Sequence, residues 1–416
     1  MPTFHKAFKE VGIVPISKIF YRESAQVHQE RKKMIPMKIN KAFLFNLFLV
    51  TLVFLVVQGA FAGVVSLTKD EILKLQFLVK SSPEGKIWAD TIEQQAKEAL
   101  GQEPHPIAWI QTAGELLGSP AKTETQEALK DMPRLKALGL AYILTGNKDY
   151  RQKAQDYLLA WAKTCNPPAN PIDATNLEPF LETYDLLRPD LAGNVRNTLD
   201  TWIMTLGQAL LDSDNPSWKT FWNNWKSHRI KIVAMTAFIR DDVGLERREL
   251  ETLVILYVRN LNADGTTLDF HERDALHYQV YDLEPLIRTA MIFQRAGFGD
   301  LYDSKTDQGA SLHKSVAFVI PFAKGEKKHA EYVHTKVKFD LERDQNKEKG
   351  HAIGAKFDPK SALHCLELAQ YFEPDLKGLV GNLAGKPDAA YPTLQILLNE
   401  ITRTLPINPT RNPNNP

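Results

Sequence analysis

Apolar residues recur along most of this chain at spacings of three and four, the period of an amphipathic helix. Thr68 and Glu71 frame a capping box that starts the first helix, and the pattern continues to about Gly101. A second stripe begins at Glu124 and carries Leu129, Met132, Leu135, Leu138, Ala141 and Tyr142 before Thr145-Gly146-Asn147 ends it. The next helix, Tyr150 to Lys163, presents Ala154, Tyr157, Leu158 and Trp161, and Asn166-Pro167-Pro168 breaks it. Another follows Asp173 with Leu177, Phe180, Leu181, Tyr184 and Leu187, and stops before Pro189. Further helices are predicted over 192–211, 224–240, 245–261, 275–296, 305–323, 361–371 and 391–404, with a charged loop plus helix over 324–350. No run alternates with period two. About twelve helices with short connections favour antiparallel neighbours. The absence of a sharp repeat of fixed period argues against a tetratricopeptide-type solenoid. The expected fold is therefore all-α: an (α/α) toroid, an incomplete barrel of antiparallel helical hairpins.

The first sixty residues stand apart from that pattern. Met37-Lys38-Ile39-Asn40-Lys41 is basic, Ala42 to Val57 is apolar, and Ala60-Phe61-Ala62 has the small-x-small form of a cleavage site. These are the three parts of a secretory signal, and the apolar run is short for a membrane span. Residues 1–36 read as an extension upstream of the true start, 37–62 as the signal, 63–405 as the toroid domain and 406–416 as a disordered tail. A periplasmic or secreted protein is expected, touching a membrane only through its signal segment.

Over the 416 residues, hydrophobic content of 44% and charged content of 24% are ordinary for a globular protein. A formal net charge of +1 provides no global field for nucleic acid, so an anionic substrate must be met by local cations. The two cysteines, Cys165 and Cys365, are too few for a disulfide scaffold.

Two stretches concentrate chemistry. In Asp264–Leu286, a turn dipeptide leads through His271, Arg273, His277, Tyr278 and Tyr281 into the first turns of a helix. In Trp222–Arg229, Asn223 or Asn224 can cap the helix that follows. Asn224 and His228 are four apart and share its face, while Trp225 points elsewhere and can stack on a sugar ring. No His-Glu-x-x-His or Gly-x-Ser-x-Gly motif is present, and the glycines at 378, 381 and 385 match no dinucleotide loop. His329 and His334 are spaced by five, wrong for metal ligands on one helix face. Neither a metal nor a cofactor is expected.

These two stretches together resemble the signature regions of the alginate lyase superfamily, the helical-toroid polysaccharide lyases. Lys130–Arg134, Leu144-Thr145-Gly146 with Ala160-Trp161-Ala162, Asn176-Leu177-Glu178 with Tyr184-Asp185, His329–Tyr332 and Lys338-Phe339-Asp340 extend the resemblance over most of residues 63–405. It implies β-elimination on a uronic-acid polymer, an anionic polysaccharide. Such a reaction needs the uronate carboxylate neutralised, a base for the C5 proton and an acid for the leaving oxygen. By that resemblance Asn223, Asn224 and Arg273 neutralise the carboxylate, His228 is the base, and Tyr278 is the acid or both acid and base. Asn223, Trp225, Arg229, His277 and Tyr184 are the expected substrate contacts. In the family the histidine directly follows the paired asparagines, whereas here Trp225 stands in that place. His271 and His277 are rival bases. Tyr278 and Arg273 are expected to face the cleft opposite Asn224 and His228, and Tyr281, Leu283 and Leu286 to face the core. A glycoside hydrolase or a non-catalytic carbohydrate-binding protein on the same toroid is the alternative.

Overall fold

The computed structural model describes residues 63–385 and 393–402. The expected signal segment and tail lie outside these residues. Among the described residues the regular structure is helical, with only two isolated bridges, Leu261–Thr267 and Ala330–Lys356.

Helices α1 (Lys69–Ser81) and α2 (Pro83–Leu100) replace the single helix expected from 68 to 101. Ser82 ends the first in extended backbone and caps the second through its hydroxyl, with Pro83 at the first helical position. The stripe expected from Glu124 starts earlier and is likewise divided, into α3 (Pro120–Ala128) and α4 (Asp131–Thr145). The capping box of Thr68 and Glu71 is formed as read.

There follow α5 (Lys148–Thr164), the single turn α6 (Pro171–Ala174), α7 (Glu178–Leu187) and α8 (Gly193–Asp212). The two stretches rich in chemistry begin α9 (Asn224–Ile239) and surround α11 (Leu268–Arg273) and α12 (Leu276–Arg295); α10 (Val243–Asn260) lies between them. Helix α11 was not expected; Thr267 caps it, and Asp274 in the left-handed region (φ 46°) turns the chain into α12. Helix α13 (Leu312–Ala323) begins seven residues later than the expected 305, because Gly309 (φ 80°) closes a turn onto Thr306 and Ser311 provides the cap. Then come α14 (Lys338–Gln345), α15 (Leu363–Ala369), α16 (Lys377–Ala384) and α17 (Leu394–Thr402).

The packing follows a closed circuit. Helix α1 packs on α2, α2 on α4, α4 on α7, α7 on α9, α9 on α12, α12 on α15, α15 on α17, and α17 returns to α1. Helices α5, α8, α10, α13 and α16 pack on members of this circuit. One continuous apolar core runs through these layers, and Leu67, Leu75, Trp88, Leu140, Leu186, Leu397 and Ile401 form a second cluster where the chain's two ends meet. Cys165 and Cys365 are buried, separate thiols.

Helix α9 is the pivot. Every residue from Lys226 to Ile239 is buried, charged ones included. A helix buried all round is normally apolar. Here each polar group needs a partner to offset its desolvation. Lys226 and Arg229 pair with Asp214, Ser227 donates to Asp282 at 2.5 Å, and Lys231 pairs with Glu178. The ring of helices is thus cross-tied through its centre by ionic and hydrogen-bonded contacts, and these ties fix where His228 sits.

Candidate active site

Asn223 caps α9, its Oδ1 accepting from the Trp225 amide at 3.1 Å. Its side-chain amide donates to none of the described residues. Asn224 is committed internally: its backbone and side-chain nitrogens both donate to Asp269, and the residue is 1% exposed. The expected role of Asn224 as a donor to substrate is therefore corrected; it binds α9 to α11. Arg229 is also corrected. Its guanidinium is buried against Asp214, Ser213 and the Leu210 carbonyl, where it holds the start of α9 to the end of α8. Tyr184 is fully buried with its hydroxyl on Asp200, so it too is part of the framework. Trp225 is half-buried. His271 is exposed, its Nε2 at 2.8 Å from Thr266 Oγ1.

Four aromatic side chains connect the two stretches. The rings of His228 and Tyr281 lie 4.6 Å apart, those of Tyr281 and Tyr278 lie 6.1 Å apart, and His277 stacks nearly parallel to Tyr281 at 6.4 Å. Tyr281 is not the core residue expected of it. It is half-buried, stands between His228 and Tyr278, and opens onto the interior cavity described below. Pro285 one turn later lacks the N–H that would bond the Tyr281 carbonyl. Leu283 and Leu286 are fully buried, as their spacing predicts.

Tyr278 is held by two cations. The Arg273 guanidinium lies 3.7 Å from its ring centroid, and Arg343 Nη1 donates to its hydroxyl at 3.1 Å. Arg273 does not extend into a cleft as a clamp. It pairs with Asp340 and lies 3.9 Å from Asp269, so it stacks beneath the tyrosine instead. Burial disfavours the Arg273 charge, but Tyr278, Asp340 and Asp269 outweigh it and hold the guanidinium firmly protonated. Burial also pushes the Tyr278 phenol up, and Arg273 and Arg343 pull it back part of the way. At neutral pH the phenol keeps its proton, and two cations stand ready to stabilise the phenolate.

His228 is in the complementary state. Burial, then the Lys231 charge, push its pKa well below the ordinary 6.5. The imidazole is neutral, one nitrogen lies 2.9 Å from Thr175 Oγ1, and Nε2 is buried with no partner. His277 is brought down to about 4 by burial and by Arg343 and Arg273.

Arg343 lies in the charged 324–350 stretch, where periodicity gives it no distinction from its neighbours. It is placed by Glu348, which accepts from Arg343 Nε at 2.9 Å and from the Leu117 amide at 2.6 Å. The sequence 329–332, noted for its histidine, has a structural role. Glu331 accepts from the Leu276 and His277 amides at 3.0 Å each and so caps α12 from outside the helix. Tyr332, left-handed at φ 64°, donates its amide to the Asp274 carbonyl and brings its ring to 6.2 Å from that of Tyr278. Two non-glycine residues with positive φ, Asp274 and Tyr332, are thus hydrogen-bonded to each other beside the tyrosine.

The interior of the ring contains a cavity of about 560 Å³. Helices α4, α7, α9, α12, α15 and α17 each contribute to its wall, as do Ser66 and Leu67. His228 and Tyr281 line it; Tyr278, Arg273 and Asn224 do not. Its cations are paired within the wall: Lys231 with Glu178, Arg288 with Glu178 and Glu182, and Lys136 with Glu182.

A family model described as alginate lyase matches residues 79–329 of this chain. Among solved structures, an alginate lyase from Bacteroides ovatus aligns with a TM-score of 0.59 and 18% identity, over 81% of this chain and 98% of that one. Alginate lyase A1-III from Sphingomonas species A1 aligns with a TM-score of 0.48 and 18% identity, over 62% of this chain and 78% of that one. No curated protein matches. The Bacteroides likeness agrees with the circuit of helices described above: both are helical toroids.

Proposed function

Since this chain belongs to the alginate lyase family and is a polysaccharide lyase, we propose that it cleaves a uronic-acid-containing polysaccharide by β-elimination, with Tyr278 and His228 as its proton-transfer groups. The observation that carries this reading is the aromatic chain that joins Tyr278, with its two arginines, to His228. A phenol that keeps its proton, held by Arg343 and Arg273, and a neutral imidazole with a vacant Nε2 are joined through Tyr281.

The chemistry then divides as the states suggest. His228 accepts the C5 proton at Nε2. Tyr278 delivers its proton to the glycosidic oxygen as the C4–O bond breaks, and the two arginines stabilise the phenolate left behind. The electron pair of the broken C5–H bond forms the C4–C5 double bond of the product. The uronate carboxylate must be neutralised while the charge develops. Arg343 supports that role better than Arg273 does, because Arg343 Nη2 carries no hydrogen bond to the described residues. Asn223 retains a free amide for the same purpose. The substrate is then an anionic polysaccharide, alginate or a related polyuronate. The apolar segment at 42–57 behind a basic start supports export, so that the enzyme meets this polymer in the periplasm or outside the cell.

The test is a panel of alginate, polyglucuronate and other uronate polymers, followed by the ultraviolet absorbance of the unsaturated product. At least one polymer gives a rising signal, and silence across the panel would sink the reading. Tyr278→Phe lowers kcat by about 10²–10⁴-fold, the usual range for a lost proton-transfer group. A fully active Tyr278→Phe variant refutes the assignment of the acid.

A further inference from the structure

We propose that the segment from Thr112 to Leu117 is a brace that fixes the acid and the base of the elimination relative to one another, with Asp173 and Glu348 as positioning residues at its two ends. The inference rests on the β-elimination reading and deepens it.

The segment lies in the connection between α2 and α3 and belongs to neither helix. At one end the amides of Thr112 and Ala113 and the Thr112 hydroxyl all donate to Asp173 Oδ1, at 2.7, 3.0 and 2.7 Å. At the other end the Leu117 amide donates to Glu348 Oε1 at 2.6 Å, and Asn346 Nδ2 donates to the Leu117 carbonyl at 3.0 Å. Between the two, Gly114 turns the chain through the left-handed region (φ 73°), and Lys122 Nζ donates to the Glu115 carbonyl at 2.8 Å. Both anchoring carboxylates are buried, Asp173 at 8% exposed and Glu348 at 4%.

Each anchor continues to one proton-transfer group. Asp173 lies on α6, two residues before Thr175, whose Oγ1 is 2.9 Å from His228 Nδ1. Nε2 can accept a proton only if Nδ1 carries the ring's hydrogen, so the Thr175 oxygen sets the tautomer that the base needs. Glu348 Oε2 accepts from Arg343 Nε at 2.9 Å, and Arg343 Nη1 donates to the Tyr278 hydroxyl at 3.1 Å. Burial works against the Glu348 charge, but the Leu117 amide, then Arg343 and Asn346, outweigh it and bring the carboxyl down to about 2. Glu348 therefore stays an acceptor on both oxygens. A glutamine in its place has one acceptor oxygen, and its amide would face the N–H of Leu117 or of Arg343. From His228 the route runs through Thr175, Asp173, the 112–117 segment, Glu348 and Arg343 to Tyr278, and every step is a hydrogen bond or the chain itself. It is separate from the aromatic contact through Tyr281.

The experiment compares Glu348→Gln, Asp173→Ala and the double variant of the full chain on a uronate polymer that the unmodified chain cleaves. Thermal melts check folding, and Thr112→Val, which removes only one of the three bonds to Asp173, replaces Asp173→Ala if that variant does not fold. Each single change lowers kcat about tenfold and leaves KM within about twofold, because a buried anchor misplaces the reacting groups without touching the polymer. The double variant loses no more than the worse single one, since a brace cut at one end no longer holds the other. Losses that multiply to about a hundredfold mark two independent residues and overturn the brace, as does full activity in the folded variants. A second reading needs no turnover. In ¹⁵N-histidine-labelled protein carrying Tyr281→Leu, which removes the aromatic route, the His228 ring signals shift on Glu348→Gln; they are assigned by their loss in His228→Gln. Unshifted signals overturn the brace. Failure of the β-elimination reading looks different: the unmodified chain gives no unsaturated product from any uronate, and the histidine signals still decide whether the two ends are coupled.

Discussion

Tyr278 and His228 carry opposite demands, and the surroundings of each meet its own. Burial raises the one and lowers the other, so each is held in its neutral form across the physiological range. The sign of the pH dependence follows. Protonating His228 removes the base, but its pKa lies well below 6.5, so the acid limb of kcat/KM falls well below pH 6.5. Ionising Tyr278 removes the acid, and its pKa lies above 10, so the alkaline limb falls above pH 10. A pH–rate profile under kcat/KM conditions should show a broad plateau between those limits. A limb centred at pH 6.5 would overturn buried His228 as the base. At this scale the sequence showed the right residue types but not their commitments. Asn224 and Arg273 have the chemistry to meet a uronate, yet Asp269 and Asp340 already occupy them. Those acids lie 45 and 67 residues away in sequence, and no local pattern reveals such a partner.

At the scale of elements, most helices were legible because amphipathic spacing and caps are local. What local spacing could not show were the interruptions at Ser82 and Leu129–Lys130, and the extra turn α11, which depends on the Thr267 cap and the left-handed Asp274. It also missed the character of α9. Its polar residues look like a solvated face, whereas nearly all are buried and paired. One group on its neighbour α10 is not well served. Glu249 is 2% exposed, and burial, only partly offset by Lys226 and Arg248, pushes its carboxyl up to about 7. A raised carboxylate favours the fold while protonated and costs stability as pH rises from its unfolded value, near 4.5, through 7. Glu249→Gln should therefore raise Tm at pH 8 by an amount worth about 2–3 kcal/mol, and change it little at pH 4. Thermal melts at the two pH values check this, and a stabilisation independent of pH would show that ionisation is not the cause.

At the scale of the molecule, the toroid was legible as a class from helix number and short connections, while the pair of helices that meet to close it was not. The seal depends on α17, a nine-residue helix at the far end of the chain. It packs on α1 and on the cluster of Leu67, Leu75 and Trp88. The cavity wall likewise draws on both ends of the domain, from Ser66 to Leu398. Arg295 and Arg288 add to this by donating to the carbonyls of Val64 and Val65, so the first described residues are stitched to α12.

That meeting of α1 and α17 makes the order of the chain nearly arbitrary. A domain whose ends lie side by side can be cut elsewhere and rejoined. Linking residue 402 back to residue 63 through a short flexible linker and opening the chain in the exposed 215–218 segment should give a permutant with the same fold and the same lyase product. The native order leaves the α1–α17 contact until the whole ring is made, an expensive loop to close. The permutant forms that contact early and across a short linker. Its refolding should be faster than that of the native chain, measurable by stopped-flow fluorescence of the tryptophans. Across the seam of this ring the packing of α17 on α1 is as continuous as that between helices joined by a loop.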